Sequence, residues 1–581
     1  MIMGLLQLIL EETGMINSNR RNITTLLSIV AVALLGWSGE SSARYEFGDL
    51  EISGEVFVLG DFRIGGKPDQ ARIFELAVAP GVLLSPAALG TPSNRQDYDT
   101  VNALRTELSV EMVYKGIKHI TPVLKLRGYY DAMFEIEDKD NSIAKNWETN
   151  FKDGLHDKWD PLVREAYLDI NYHPLHIRAG RQIVTWGRSD GVTVLDVVTP
   201  RNFRNPLTFE QERFMIPQDM LNIKYDLSRV DWLPGGITKE LQVIWNWDYT
   251  PARFPGFRAE EEAQHPYTLA VVDLADQVIN VSKGLFGEPD FFDNYAWDEG
   301  DAFDKSEVFV RWRARTGGGL GPLSDMTYSF HYGHLFEDIP FYVLGNRIPA
   351  GLALDIAGPR AIGGGIDFAR HRYDLAGASF DKALEFLPGQ FKGTVMRGEL
   401  VYNFGQLFYE PDLALVKADS VTALIGLDQY LYIGPRTLFK TPWFVSAQIW
   451  RDEILRDPKP GHFTNIGSPA CIGQPGCGDS GYIIGGASNV YNGLRNRKRH
   501  VATLFMFNDF LPGKTLHVEL FGLHEFSHRQ RATWIRALVG YNFNHSLSAR
   551  VGINVISGAL DSFFGEFQRN DSLFTELKFT F

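Results

Sequence analysis

Long stretches of this chain place an apolar residue at every second position. Leu50, Ile52, Gly54, Val56, Val58, Gly60, Phe62 and Ile64 make one face, and Glu51, Ser53, Glu55, Asp61 and Arg63 mark the other. Leu104, Thr106, Leu108, Val110, Met112 and Tyr114 oppose Arg105, Glu107, Ser109, Glu111 and Lys115, and the pattern returns at 165–172, 307–315 and 396–404. A period of two, with one apolar and one polar face, describes strands that separate two different environments. The runs reach about 10–15 residues, whereas strands of soluble sandwiches are nearer 5–6. A chain of 581 residues would ordinarily divide into several domains, but one continuous alternation predicts one sheet. Hydrophobic residues at 44% exclude a disordered chain, two Cys exclude a disulfide scaffold, and a net charge of −14 argues against nucleic acid as a partner.

The connections alternate in length. Short ones fall near 116–118, 173–174, 228–238, 317–323, 383–390, 432–440, 510–513 and 544–545. Longer ones fall near 65–100, 135–161, 187–218, 250–304, 334–368, 405–418, 452–498, 526–529 and 557–570, of which 526–529 is itself short. Short turns at one end and long loops at the other predict an all-β transmembrane antiparallel β-barrel of about 18 strands (16–18), since single-chain bacterial barrels have even counts. Segments 364–382 and 419–431 leave the count open by two. A closed wall satisfies every backbone group in lipid, which an open sheet does not. The alternative architecture is a large soluble sandwich or solenoid.

Arg20 and Arg21 precede an apolar run from Ile23 to Trp37, followed by Ser41-Ser42-Ala43. This is the layout of an export signal, giving a signal peptide at 1–43 and one barrel domain at 44–581. Met15 is the more natural start, because it brings the basic pair near the terminus. An uncleaved anchor is the other reading. No later segment reaches 18 consecutive apolar residues.

With the apolar faces toward lipid, the lumen receives Arg105, Lys125, Arg127, Arg311, Arg313, Arg315, Arg397, Arg536 and Arg550. It also receives Glu51, Glu55, Glu107, Glu111, Asp131, Glu165, Asp169, Glu307 and Glu399. These charges either pair across strands to hold the wall, or include an anion rail formed by Arg311, Arg313 and Arg315. Tyr129, Tyr130, Tyr172, Trp245, Trp247, Trp312, Tyr328, Tyr332, Trp443 and Trp450 are candidates for interfacial girdles.

The 187–218 connection mixes Arg, Asp and apolar residues and is either an inward-folded constriction or a packed outer loop. Constriction candidates are Arg181, Arg188, Asp190, Asp196 and Arg201. The 250–304 connection holds twelve acidic side chains and helical spacing at Val271, Leu274, Val278, Val281 and Leu285. It matches no Ca²⁺-loop template. Cys471 and Cys477 are expected to form a disulfide if the chain is exported, and soft ligands for a metal are not evident nearby. No G-x-S-x-G, HExxH or P-loop occurs, and His524, Ser527 and His528 have no triad spacing, so no enzyme and no cofactor is expected.

The final strand, Leu573, Thr575, Leu577, Phe579 and Phe581, resembles the assembly signal of bacterial outer-membrane barrels. The run Gly180-Arg181-Gln182-Ile183-Val184-Thr185-Trp186-Gly187-Arg188-Ser189-Asp190-Gly191, then Leu195-Asp196-Val197-Val198-Thr199-Pro200, resembles a proteobacterial family of exported barrels known as a numbered domain of unknown function. Arg164-Glu165-Ala166-Tyr167-Leu168 fits as well. Arg188 stands where that family often has Glu, and Thr199 where it often has Asn. There is a weaker similarity to alginate-export barrels. The resemblance implies an outer-membrane protein whose partners are lipid, lipopolysaccharide and the barrel-assembly machinery. It also implies an RND-type transporter with a periplasmic companion, and traffic of hydrophobic or lipid-like molecules. The expected function is a solute channel narrowed by the 187–218 loop; the alternative is a plugged, non-conducting structural or adhesive barrel.

Overall fold

The computed structural model describes residues 44–64, 101–132, 162–187, 194–202, 211–230, 232, 236–252, 305–318, 324–337, 341–344, 355–357, 366–409, 415–434, 441–456, 498–527, 531–558, 567 and 570–581. The expected signal peptide, the helical spacing of 271–285, Arg188, Asp190, Cys471 and Cys477 lie outside these residues.

The wall consists of β1 (Leu50–Arg63), β2 (Val101–Tyr114), β3 (Ile120–Asp131), β4 (Val163–Tyr172), β5 (Leu175–Gln182) and β6 (Gln218–Asp226). It continues with β7 (Thr238–Asp248), β8 (Glu307–Arg315), β9 (Met326–Phe336), β10 (Arg372–Leu384), β11 (Thr394–Tyr409) and β12 (Leu415–Leu431). The last third is β13 (Trp443–Ile454), β14 (Lys498–Phe510), β15 (Leu516–Phe526), β16 (Arg531–Asn542), β17 (Leu547–Gly558) and β18 (Ser572–Thr580). The sheet has 19 members, of which Tyr45–Phe47 is only a short strand folded back on β1, leaving 18 wall strands. Each pairs antiparallel with its sequence neighbours. β1 closes the circle by pairing with β2 on one edge and β18 on the other. The two ambiguous segments resolve simply. Residues 415–431 are all strand, and 366–370 belong to a separate three-stranded sheet in the β9–β10 connection.

The closing seam runs on past β18. Gly54 donates its N–H to the Phe581 carbonyl at 2.8 Å, and the Phe581 N–H donates to the Gly54 carbonyl at 2.9 Å. A Cβ on residue 54 would sit 2.5 Å from the Ser109 carbonyl oxygen and 2.6 Å from Cζ of Phe581. The backbone oxygen cannot swing aside. Gly54→Val is therefore expected to cost about 1–3 kcal/mol, read as a lower urea midpoint for loss of the folded band in heat-modifiability gels. An unchanged midpoint would mean that the seam absorbs the side chain.

The predicted faces are present. Val308, Phe330, Leu400, Ile425, Ile449, Ile535 and Val551 are exposed on the outside, as a lipid-facing wall requires. The alternate positions hold Glu307, Ser329, Glu399, Gln448, Arg536 and Asn554, all buried inside. Two girdle candidates belong inside instead: Tyr129 is buried beneath the Arg105 guanidinium at 4.3 Å, and Trp450, half-buried, lies under Arg499 at 5.3 Å. Both sit on inward positions of their strands, and phase decides the side regardless of residue type.

Much of the charged inventory pairs across strands. Arg105 meets Asp131 at 3.4 Å, Arg178 meets Asp169 at 2.7 Å and Arg397 meets Asp428 at 2.7 Å. Arg536 bridges Glu519 at 2.6 Å and Glu576 at 3.4 Å, and Arg550 adds to Glu576 at 3.6 Å. A buried guanidinium persists only with such partners.

Candidate functional site

The connection from β5 to β6 folds into the barrel. Its described parts are residues 183–187, 194–202 and 211–217, here called the strap. Val184 and Thr199 hold the first two parts together: the Val184 N–H donates to Thr199 Oγ1 at 3.0 Å, and that hydroxyl donates to the Val184 carbonyl at 2.8 Å. The Trp186 N–H donates to Asp196 Oδ1 at 3.0 Å, and Arg201 pairs with Asp196 Oδ2 at 3.1 Å. Asp196 and Arg201, both constriction candidates, thus bind one another and shape the strap. Thr199 spends its hydroxyl on backbone.

One end of the strap packs on the inward face of β6–β11. Val184, Trp186, Leu195 and Val198 form one apolar cluster with Met220, Ile244, Phe309, Leu335, Tyr373, Leu375 and Val401. Leu195 and Val198 have no exposed surface. These wall residues share their faces with buried polar residues such as Asn222, Gln242, Glu307 and Glu399, which fixes the cluster inside. Space is tight: a Cβ on Gly377 would lie 2.5 Å from Leu195 Cδ2. Glu399 of β11 accepts the N–H of Leu195 at 3.0 Å and that of Val194 at 3.3 Å. Trp186 sets its ring edge-on to Phe309 at 5.7 Å and 5.0 Å from the His331 ring.

Beneath the strap the wall carries a file of buried amides. Asn222 donates to Gln182, Gln242 to Asn222 at 2.8 Å, and Trp186 Nε1 to Gln242 at 3.1 Å. Asn246 donates to Gln218 at 3.3 Å and to Glu307 at 3.0 Å. A lumen wall is polar because it expects water; once covered, it must satisfy its own donors and acceptors. The file does so for all but the Asn246 Oδ1 acceptor, and it fixes Trp186. Trp186→Ala removes both the ring packing and this donor, a change worth about 3–5 kcal/mol in a packed site. The expected result is loss of hydrogen-exchange protection at the Val194 and Leu195 amides, with barrel-strand amides unaffected. Retained protection would show that the apolar cluster holds without Trp186.

The other end lies against β1–β4. Arg213, in the helical turn Gln211–Phe214, pairs with Glu55 of β1 at 2.6 Å and with Glu107 of β2, and its guanidinium covers the Phe57 ring at 3.6 Å. Arg127 donates to the Arg213 carbonyl at 3.3 Å, and Arg164 donates to the Met215 carbonyl. The ends are tied: Arg201 bridges to Met215, the Asn202 N–H donates to the Phe214 carbonyl at 2.6 Å, and the Ile216 N–H to the Pro200 carbonyl at 2.8 Å. The strap therefore reaches across the interior, from β1–β4 to β6–β11.

Arg181 is a correction to the expected site. It shares its face with Asp219, whose carboxylate it meets at 2.8 Å, and with the outward Ala179 and Leu221. The inward face of β5 belongs to Arg178, Gly180 and Gln182. Position 180 itself requires glycine: its φ is +124°, and a Cβ there would lie 2.3 Å from the Ala166 carbonyl oxygen. Of the rail, Arg311 meets Glu240 at 3.4 Å and lies 5.7 Å from the Trp186 ring, below the strap, while Arg313 and Arg315 follow toward the short-turn end. Arg213 and the amide file escaped the sequence reading, and Glu399 was placed in the lumen without its link to the strap. Arg213 lies late in the connection, and Glu399 was one inward carboxylate among many.

The sequence profile of the family described as "Protein of unknown function (DUF1302)" matches residues 24–429. No curated protein sequence matches the chain. Among solved structures, Acinetobacter baumannii OccAB4 aligns at a TM-score of 0.43 and 9% identity, covering 92% of this chain and 98% of that one. Pseudomonas aeruginosa OccK2 (OpdF) in complex with glucuronate aligns at 0.41 and 9%, covering 92% and 98%. The outer membrane protein opdK from Pseudomonas aeruginosa aligns at 0.41 and 7%, again covering 92% and 98%.

Proposed function

We propose that this chain, which belongs to the DUF1302 family of proteins of unknown function, is a passive, substrate-selective channel of the bacterial outer membrane, exported by its N-terminal signal. The observation that carries this reading is the strap. A closed barrel with an apolar outside and a polar inside provides a path, and a connection tied down at both ends within that path sets its width. The long loops would face the outside and the short turns the periplasm. Lipid, lipopolysaccharide and the assembly machinery are the general partners of such a barrel. An RND-type transporter with its periplasmic companion, implied by the family resemblance, would meet it at the short-turn end.

The interior is not uniformly polar. Phe57, Leu59, Ala103, Leu538 and Phe574 form an apolar cluster on inward positions of β1, β2, β16 and β18. That cluster is buried, with the Arg213 and Arg536 guanidinium groups over the Phe57 and Phe574 rings, so the hydrophobic or lipid-like character of the solute rests on the family resemblance. The test is single-channel conductance of the refolded protein in a planar bilayer. Wild-type openings support the channel. Silence in the wild type and in a strap-deleted form, with folding confirmed, would favour a non-conducting structural barrel instead.

A further inference from the structure

Arg313 and Arg315 stand apart from the paired arginines of the wall. Both sit on the inward phase of β8, in line with Glu307, Phe309 and Arg311. In register, Arg313 faces Glu240 on β7 and Ser329 on β9, while Arg315 faces Thr238 and Thr327. The Glu240 carboxylate is engaged with Arg311 at 3.4 Å. Asp381 on β10 lies beyond Thr327 and has contacts of its own. Lys224, inward on β6, adds a fourth cation to this side. Neither the Arg313 nor the Arg315 side chain has an ion-pair or hydrogen-bond partner among the described residues. Arg315 is exposed and Arg313 half-buried.

A file of guanidinium groups with too few carboxylates is a stepwise anion site, since each fork presents paired donors suited to a carboxylate or phosphate. The file has a direction. Arg315 lies at the short-turn end, Arg313 above it, and Arg311 under Trp186 of the strap. From these positions we infer that Arg315, Arg313 and Arg311 form a relay that draws the anionic group of the solute, a carboxylate or phosphate, from the short-turn mouth to the underside of the strap. This rests on the channel reading above. It specifies a carboxylate- or phosphate-bearing anion as the solute class.

The relay is tested by reversal potentials in a KCl gradient, with inorganic phosphate as the probe added to each side in turn. Wild-type protein is expected to prefer chloride over potassium, and phosphate to block from one side at lower concentration than from the other. The double variant Arg313→Glu, Arg315→Glu should reverse the selectivity. Arg313→Gln with Arg315→Gln should raise the half-blocking phosphate concentration about tenfold or more, as loss of charge-assisted hydrogen bonds predicts. If the wild type is silent, the same measurements apply to the strap-deleted barrel, which keeps both arginines. Currents with unchanged selectivity and unchanged block would overturn the relay and leave the channel standing. Silence of both folded barrels would overturn the channel, and the relay with it.

Discussion

A barrel lacking residues 188–217 is expected to conduct at several times the wild-type single-channel level. The deletion is chosen from the register. Gln182 and Gln218 are direct partners at the ends of β5 and β6, so the remaining 183–187 closes them as a five-residue hairpin, a length such turns tolerate. It removes Leu195, Val198, Arg213 and the whole span across the interior. It also uncovers the amide file of Gln182, Asn222, Gln242 and Asn246, whose bonds run mainly among the wall residues themselves and to Trp186, which the deletion retains, and water can meet what is left open. The uncovered apolar residues, Met220, Ile244, Phe309 and Val401 among them, lower stability, while the backbone pairing of the wall is untouched. The variant should therefore still show heat-modifiable mobility. Equal conductance in both proteins would mean that current follows a route the strap does not obstruct, and the constriction reading would fall.

Alternation made the barrel legible, because a two-sided wall in lipid leaves its signature in every strand. The faces of Val308 and Glu307, or of Leu400 and Glu399, need only a count of two. Alternation also outranks residue type. Arg181 stands between Gly180 and Gln182 on the outward phase it shares with Ala179, where it meets Asp219; its charge alone suggested the lumen. Alternation does not report partners. Glu399 meets Leu195 from 204 positions away, and Arg213 meets Glu55 and Glu107 from 158 and 106 positions away. Such contacts are set by how a covalently closed hairpin loop falls inside a circle of strands, which is a tertiary fact. The Arg and Asp content of the connection announced that it was not a solvated loop; the identity of its anchors came only with the fold.

Arg213→Gln is expected to free the end of the strap that lies on β1 and β2. The guanidinium bridges two carboxylates and covers Phe57, with its side chain only 8% exposed. Glu55 has a second cation, Lys578 at 2.8 Å. Glu107 is itself buried, with a side chain 5% exposed, and depends more heavily on Arg213. Removing one member of a buried pair costs about 3–5 kcal/mol, because the partner is left charged without compensation. Partial relief by water entering the lumen lowers that figure, but even about 3 kcal/mol shifts the docked-to-released ratio of the strap end roughly a hundredfold. In single-channel records the variant should spend most of its time in a larger level that the wild type visits rarely. The companion Arg213→Gln, Glu107→Gln separates charge from shape: it leaves no unpaired buried carboxylate, so the docked level should largely return. If the double variant stays as open as the single one, hydrogen-bond geometry and the Phe57 contact hold this end, and the ionic account is wrong. If neither variant differs from wild type, Arg127 and Arg164, which bind the Arg213 and Met215 carbonyls, suffice to hold the strap across the barrel.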